Sequence, residues 1–313
     1  MAKVRGLTAG CIGLLLAGCA AGGPLAPPNA SGVEGPKLMA SDGSAVPVTQ
    51  WGPKKPKAVI LALHGYGDHG ASTFGSAAEH WADAGITTIA PDQRGFGRNP
   101  SRGHWPGADG MIADAAAFAK QIRNRHACAP LIVLGHSMGG GVALAAAAKG
   151  VPADGVVLAA PAIWGGDALN PLHRLLAWSV ALFLPDERFS GRGVVRIQAS
   201  DNIEALRALG RDPLYLSPPS AREMLGLVRI TDRASDAAAT VDLPALMLLG
   251  AQDQIVPNRI ARSVFDRLNG PKQVVEYPEG WHLLFRDLQA QKVWQDVAKW
   301  SLDQPGPDCG SKS

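Results

Sequence analysis

A serine flanked by glycines at the end of an apolar run constrains this chain more than any other feature. The apolar residues 131–134 lead into Gly135-His136-Ser137-Met138-Gly139-Gly140, and an alanine-rich stretch follows over residues 142–149. This order predicts a strand, a tight corner that carries Ser137, and a helix. A side chain at Gly135 or Gly139 would collide with the neighbouring strand or helix. The pattern is that of a nucleophile elbow, and a purely structural glycine-rich corner is the alternative.

The N-terminal residues have the pattern of an export signal. Two basic residues precede the short apolar run 10–17, which ends in Leu16-Ala17-Gly18-Cys19. The run is far shorter than the roughly 20 residues that a transmembrane helix needs. It resembles a bacterial lipoprotein signal peptide over residues 1–18, with lipidation of Cys19 as the membrane anchor. The alternative is an ordinary secretory signal that is cut after Ala20 or Ala21.

The segment after Cys19 is rich in Gly, Pro, Ala and Ser up to residue 36. Such a composition offers too little apolar area to offset the entropy of ordering it, so residues 19–36 are expected to form a flexible stalk. The residue after Cys19 is Ala rather than Asp. By resemblance to other lipoproteins this implies the outer membrane of the cell envelope, with no indication of which face.

Charge and length limit the partners and the number of domains. The chain has 30 basic and 27 acidic residues, and loss of Lys3 and Arg5 with the signal peptide leaves 28 against 27. A nearly neutral mature protein is not expected to bind nucleic acid. The remaining body of about 270 residues fits one α/β domain with an insertion. No sequence feature indicates a protein partner.

Apolar runs and helical stretches alternate along most of the body. A turn at Ser41-Asp42-Gly43-Ser44 predicts a hairpin between residues 37–40 and 46–51. Further apolar runs cover 58–63, 86–90, 131–134, 156–160, 246–249 and 274–277, and helical stretches cover 76–84, 112–125, 142–149, 260–268 and 289–302. Uninterrupted apolar strands separated by helices predict an α/β fold with a mostly parallel sheet covered on both faces.

The alternation fails between residues 161 and 238. This segment contains Trp164, Trp178, Phe183 and several Pro and Arg residues, with helical rather than strand periodicity. The segment follows one predicted strand of the sheet and precedes the next. We therefore expect it to form a helical cap above the end of the sheet that carries Ser137. A surface insertion without function is the alternative, although long insertions in compact domains are usually functional.

A serine hydroxyl needs a base and a carboxylate that orients the base. Asp253 follows a predicted strand at the same sheet edge as Ser137, and we assign it to orient the histidine; Asp242 and Asp266 are the alternatives. His282 follows the last predicted strand, and none of the other histidines does, so it is assigned as the base. The order Ser, Asp, His is that of α/β-hydrolases.

The oxyanion of such a reaction needs two hydrogen-bond donors. The Met138 N–H qualifies because it directly follows the nucleophile. The second donor is expected after the strand 58–63, in His64-Gly65-Tyr66-Gly67-Asp68-His69, and Tyr66 N–H is our assignment. His64 is expected to be a buried hydrogen-bonding support, and no cluster of ligands with zinc-like spacing accompanies it. We predict no metal and no cofactor.

The four cysteines divide into two groups. Cys11 leaves with the signal peptide and Cys19 is the lipid site, so Cys128 and Cys309 remain as a pair. In an oxidising compartment they would join the tail, residues 304–313, to the loop before the Leu131 strand. Because the sequence does not supply the separation of the two Cα atoms, both a disulfide and free thiols stay open.

Several motifs together resemble the α/β-hydrolase superfamily, and within it the monoacylglycerol lipase and lysophospholipase group. In chain order they are His64-Gly65-Tyr66-Gly67-Asp68-His69, Pro91-Asp92-Gln93-Arg94-Gly95-Phe96-Gly97, Gly135-His136-Ser137-Met138-Gly139-Gly140, Gly250-Ala251-Gln252-Asp253 and Glu279-Gly280-Trp281-His282. The resemblance implies a core in two parts, residues 37–160 and 239–303, with the cap over 161–238. It also implies a Ser137, Asp253 and His282 triad with Tyr66 and Met138 as oxyanion donors.

The resemblance implies a serine hydrolase for small acyl esters such as monoacylglycerols or lysophospholipids. The cap is the least similar part, so the acyl length stays open. A serine aminopeptidase on the same fold is one alternative, for which Asp167, Asp186, Glu187 and Glu204 are available in the cap. A non-catalytic envelope binding protein is the other, although the fold has no structural need for a complete triad.

Overall fold

A single sheet organises the described part of the chain. The computed structural model describes residues 36–165, 171–188, 197–216 and 218–309. In these ranges the strands are β1 (Lys37–Met39), β2 (Ala45–Trp51), β3 (Ala58–Leu63), β4 (Ile86–Pro91), β5 (Leu131–His136), β6 (Gly155–Ala159), β7 (Ala245–Gly250) and β8 (Lys272–Tyr277). Their order is β1-β2-β4-β3-β5-β6-β7-β8. β2 is antiparallel to both its neighbours, and all pairs from β4 to β8 are parallel.

Helices cover both faces of this sheet. The helices of the described ranges are α1 (Gly70–Asp83), α2 (Ala108–Arg125), α3 (Met138–Ala147), α4 (Pro171–Phe183), α5 (Ile203–Arg211), α6 (Ala221–Ala237), α7 (Asn258–Phe265) and α8 (Ala290–Leu302). One apolar core lies between the sheet and α2, α3 and α7, and a second lies between the sheet and α1 and α8. The predicted fold class, a mostly parallel sheet with helices on both faces, is confirmed.

Strand β3 shows why the central strands are apolar throughout. Val59 and Leu61 belong to the first core, whereas Ile60 and Ala62 belong to the second. Successive side chains of a strand point to opposite faces, so a strand that is buried on both faces needs apolar residues at every position. The uninterrupted apolar runs in the sequence follow from this requirement.

Helix α1 begins earlier than its sequence pattern predicts. The prediction starts at residue 76, but the helix starts at Gly70, and His69 precedes it as the N-cap whose Nδ1 accepts from the Ser72 N–H. Histidine is not among the residues that usually cap helices, so no residue pattern marks this helix start. Gly70 is required because a Cβ at this position would lie 2.6 Å from the backbone oxygen of Ala90.

The insertion between β6 and β7 is helical in its described parts, and α6 packs onto the core. A Cβ on Gly141 of α3 would lie 2.7 Å from Cγ2 of Ile230 in α6, and one on Gly226 of α6 would lie 2.2 Å from the Trp105 ring. The glycine in α3 thus makes room for Ile230 of α6, and the glycine in α6 makes room for the Trp105 ring. The cap is therefore seated on the helix that begins at the Ser137 corner.

The tail turns back to the loop before β5. Cys128 and Cys309 form a disulfide that joins positions 181 residues apart in sequence. The predicted signal peptide, Cys19 and the stalk up to residue 35 lie outside the described residues. No helix in the described ranges has both the length and the apolar character needed to cross a membrane.

Candidate active site

Ser137 occupies the corner between β5 and α3 with a strained backbone. Its φ is 53°, a left-handed value that is uncommon for a residue with a side chain. A Cβ on Gly135 would lie 2.1 Å from the backbone oxygen of Gly139, and one on Gly139 would lie 2.1 Å from the backbone oxygen of Leu63. The predicted collisions with helix and strand are thus confirmed at both glycines. This crowding pushes the Ser137 side chain out of the corner.

Three side chains meet at the carboxyl edge of the sheet. Nε2 of His282 lies 3.0 Å from Oγ of Ser137, and Nδ1 of His282 lies 2.9 Å from Oδ2 of Asp253. Because the Asp253 carboxylate can only accept, Nδ1 carries the proton and Nε2 is left to accept from the serine hydroxyl. The structure therefore brings together the three residues that the sequence assigned to one site.

Asp253 is held in place by more than the histidine. Its Oδ1 accepts from the N–H groups of Ile255 and Val256 at 2.7 and 3.0 Å, and its side chain is fully buried. Burial raises the pKa of this carboxyl, but the histidine and the two N–H donors outweigh it, so the pKa lies below the ordinary value. The alternatives Asp242 and Asp266 are exposed at the surface.

The backbone on both sides of His282 is fixed as well. Trp281 N–H donates to Oδ2 of Asp287 at 2.7 Å, and Leu283 N–H donates to the backbone oxygen of Ala199 at 3.0 Å. Oδ1 of the buried Asp287 accepts from the Ser200 hydroxyl at 2.6 Å. Ala199 and Ser200 belong to the cap insertion, so the cap holds the loop of the histidine.

His136, which precedes the serine, also contacts this loop. Burial lowers the pKa of His136 to about 3, and the neighbouring His282 ring adds to the effect. The ring is therefore neutral near pH 7. Its Nε2 donates to the backbone oxygen of His282 at 2.8 Å, while Nδ1 is buried without a hydrogen-bond partner.

His64 fixes the loop after β3. Burial lowers its pKa. The Gln93 N–H donates to Nε2 at 3.0 Å, so Nδ1 carries the proton and donates to the Gly65 oxygen at 2.8 Å. The Tyr66 N–H belongs to the same trans peptide and points the opposite way. A Cβ on Gly65 would lie 3.3 Å from the Ser137 Cβ, so this peptide passes directly beside the serine.

Four contacts join this loop to other parts of the site. Leu216 N–H donates to the Gly67 oxygen at 2.7 Å, and Nε2 of His69 donates to Asp212 at 2.9 Å. The Tyr66 hydroxyl donates to Glu223 at 2.7 Å. Asp68 pairs with Arg286 in the segment that follows His282.

Sequence reasoning missed the residues that connect these loops to one another. Asp212, Glu223 and Asp287 are polar residues in or beside helical segments, and their spacing carries no motif. The capping box formed by Ser220 and Glu223 was the one usable signal, since Ser and Glu three positions apart mark the start of α6. It indicates a helix start, however, and not a contact with Tyr66.

The described ranges contain no group of three or more His, Cys, Asp or Glu residues that could hold a metal ion.

Comparison with known proteins places the chain in a family. The family described as "Serine aminopeptidase, S33" matches residues 54–289. A monoacylglycerol lipase of Mycolicibacterium smegmatis is 29% identical over 78% of this chain and 88% of its own length. Phospholipase YtpA of Bacillus subtilis is 24% identical over 81% of this chain and 98% of its own length.

A solved structure has the same fold. The monoacylglycerol lipase of Paleococcus ferrophilus superposes with a TM-score of 0.70 at 22% identity, over 82% of this chain and 98% of that protein. The family match covers most of the sheet, the cap and all three residues that meet at the sheet edge. The chain belongs to the serine aminopeptidase S33 family, in the monoacylglycerol lipase-like group of the α/β-hydrolases.

Proposed function

We propose that this protein is a serine hydrolase that cleaves carboxylic esters through Ser137, His282 and Asp253. One observation carries the proposal: the continuous chain of contacts from Asp253 through His282 to the Ser137 hydroxyl, at 2.9 and 3.0 Å. A serine hydroxyl is a poor nucleophile unless an oriented base removes its proton, and this chain of contacts supplies that base.

The reaction follows from the position of each group. Oγ of Ser137 attacks the ester carbonyl while Nε2 of His282 takes its proton, and Asp253 stabilises the resulting imidazolium. The C–O bond to the alcohol then breaks, and His282 returns the proton to the leaving oxygen. A water molecule, deprotonated by His282, attacks the acyl-Ser137 and releases the carboxylic acid.

Two backbone N–H groups are proposed to stabilise the oxyanion. Met138 is the first residue of α3, whose first-turn N–H groups have no acceptor within the helix and lie at its positive dipole end. Tyr66 N–H lies on the peptide that His64 orients beside Ser137. Such preorganised donors stabilise the charge that develops in the transition state.

The preferred substrates are proposed to be monoacylglycerols, lysophospholipids or other amphiphilic acyl esters. The names of the relatives, a monoacylglycerol lipase and a phospholipase, support this substrate class. The exposed apolar residues Trp178, Leu182 and Phe183 at the end of α4 also favour amphiphilic substrates.

The decisive experiment compares Ser137→Ala with Ser263→Ala. Ser263 is exposed, and its hydroxyl donates only to a backbone oxygen within α7. With p-nitrophenyl esters we expect Ser137→Ala to lose turnover and fluorophosphonate labelling, and Ser263→Ala to keep both. Full turnover in Ser137→Ala would refute the proposal, and failure of the probe to label the wild type would favour a binding protein without catalysis.

A serine aminopeptidase is the second candidate, and the description of the matched family favours it. Such an enzyme needs a free carboxylate near the nucleophile to hold the amine of its substrate. Asp186 and Glu204 are instead exposed and paired with Arg222 and Arg207, respectively. Glu187 is exposed as well, and Asp167 lies outside the described residues. Parallel assays of an aminoacyl anilide, a monoacylglycerol and a lysophospholipid, with acyl length varied, distinguish the two activities.

We also propose that Cys19 is lipidated and anchors the protein in the cell envelope, with residues 19–36 as the stalk. The basic residues, the short apolar run and the sequence Leu16-Ala17-Gly18-Cys19 support this. Metabolic labelling with an alkyne analogue of palmitate should mark the wild type and not Cys19→Ala. Equal labelling of both, or N-terminal sequencing that starts at Ala21 or Gly22, would contradict the anchor.

A further inference from the structure

The side chain of Tyr66 reaches from the loop after β3 to a helix of the cap. Its hydroxyl donates to Oε2 of Glu223 at 2.7 Å, and Glu223 lies in the first turn of α6. Only 2% of Glu223 is exposed. The same oxygen accepts from the Ser220 N–H at 2.7 Å and lies 3.4 Å from the Arg188 guanidinium. Glu223 is therefore a buried carboxylate with a fixed position, to which the Tyr66 hydroxyl is bound.

The Tyr66 ring is held along its length as well as at its end. The ring meets Phe96 edge to face, with centroids 5.3 Å apart, and Phe96 in turn meets the His64 ring at 5.7 Å. Burial raises the pKa of Tyr66 well above its ordinary value, and the Glu223 carboxylate adds to the effect, so the hydroxyl stays a donor. The ring has no free rotation while these contacts persist.

The backbone of the same residue carries the proposed oxyanion donor. His64 fixes the peptide from its carbonyl side, because Nδ1 donates to the Gly65 oxygen. The Tyr66 nitrogen is bonded to the Tyr66 Cα, and the position of this Cα depends on where the Tyr66 side chain is anchored. Catalytic donors need to be held within about 0.5 Å of their productive positions. A contact that fixes the Tyr66 side chain thus limits the motion of its N–H.

The geometry points to Glu223 as a positioning residue that holds the Tyr66 N–H at the oxyanion through the Tyr66 hydroxyl. This inference rests on the ester hydrolysis proposed above. Glu223 does not touch the substrate in this role. It couples the first turn of a cap helix to the loop after β3, so that the cap contributes to stabilising the transition state.

The variants Tyr66→Phe, Glu223→Gln, their combination and Ser220→Ala test the inference. Tyr66→Phe removes one oxygen atom and keeps the ring against Phe96. Ser220→Ala removes the hydroxyl that accepts from the Glu223 N–H, which destabilises the start of α6 by about 1 kcal/mol, but it leaves the Tyr66 contact in place. It is therefore the matched control, because it shows how far a less stable α6 lowers activity when the contact between Tyr66 and Glu223 is kept.

The assay measures kcat and KM with p-nitrophenyl acetate and p-nitrophenyl butyrate, and Ki for a trifluoromethyl ketone, whose adduct with Ser137 carries an oxyanion. We expect Tyr66→Phe to lower kcat about 10-fold, less than the 10²–10³ that direct removal of a donor costs. KM should stay unchanged for both esters, and ketone affinity should fall by the same factor as kcat. The double variant should be no worse than the worse single variant, because in this role Glu223 acts on the rate only through the Tyr66 hydroxyl.

Three results would overturn the inference. The first is a Tyr66→Phe variant with wild-type kcat and Ki, and the second is a Tyr66→Phe variant whose KM rises by a factor that varies with acyl length. The third is a Ser220→Ala variant whose kcat falls as much as that of Tyr66→Phe. The Tyr66→Phe result decides the question even where Glu223→Gln fails to fold. Full activity in Ser137→Ala would overturn the proposed hydrolysis itself. Wild-type rates in Tyr66→Phe beside an inactive Ser137→Ala would overturn only the role of Glu223.

Discussion

The imidazole of His136 donates a hydrogen bond to the backbone oxygen of His282 at 2.8 Å. The residue before Ser137 thus holds the loop that carries His282. Both residues are buried, and the ring centroids lie 5.1 Å apart. A positive charge on the His282 ring would disfavour a second charge on His136, which adds to the effect of burial in lowering the pKa of His136.

His136→Gln should make stability less dependent on pH in the acid range. The pKa of His136 is about 3 in the folded chain and 6.5 as an ordinary value. Between these values the unfolded chain binds one more proton at this residue, so the free energy of unfolding falls as the pH drops. Urea unfolding at several pH values between 6 and 4.5 should give a slope shallower by about 1.4 kcal/mol per pH unit in the variant.

His104→Gln is the control for this measurement, because His104 is exposed at the surface and is not one of the residues that contact Ser137, His282 or Asp253. It should keep the slope of the wild type. An unchanged slope in His136→Gln would mean that His136 is protonated in the folded chain well above pH 3.

Asp253→Asn should lower kcat by about 10⁴ with little change in KM, because the amide favours the wrong tautomer of His282. Asp253 is the only one of the three candidate aspartates whose carboxylate contacts His282 among the described residues. Asp266→Asn, at the exposed C-terminal end of α7, should keep the wild-type rate. Steady-state kinetics on a p-nitrophenyl ester checks both, and comparable activity of the two variants would contradict the assignment.

Gly139→Ala should prevent stable folding or remove activity. The added Cβ would lie 2.1 Å from a backbone oxygen of β3, and neither α3 nor the central strand can move away without opening the core. We expect a loss of more than about 3 kcal/mol in the free energy of unfolding. Gly75→Ala in α1, where nothing lies within 4 Å of the added Cβ, should instead stabilise by about 0.5–1 kcal/mol. Equal Tm values for the two variants in thermal unfolding would show that the corner tolerates a side chain at Gly139.

Cys309→Ser should destabilise the protein without lowering kcat in the folded enzyme. The disulfide closes a loop of 181 residues. The chain-entropy model gives about 5 kcal/mol for a loop of this size. Thermal unfolding with and without dithiothreitol should show a lower Tm for the reduced wild type and no effect of the reductant on the variant. An oxidised wild type that melts together with the variant would show that the bond does not stabilise the fold.

The sequence predicts the architecture well because burial on both faces of a parallel sheet leaves a strong signal. Strand β3 has the predicted limits, residues 58–63, and the strands from β4 to β8 lie within a few residues of their predicted positions. The predicted start of α1 was wrong because a histidine caps this helix. The glycines at the Ser137 corner were predictable since a single steric requirement fixes each of them.

The sequence by itself determined the order of the strands along the chain, the serine corner and the three residues assigned to the reaction. Each of these leaves a local pattern: an apolar run, a glycine at a crowded position, or a polar residue directly after a strand. Only the tertiary structure decided that Glu223 meets Tyr66, that Asp287 holds the backbone beside His282, and that Cys309 reaches Cys128. Such contacts join residues far apart in sequence, and no local preference encodes them, because they depend on how the cap and the tail pack onto the finished sheet.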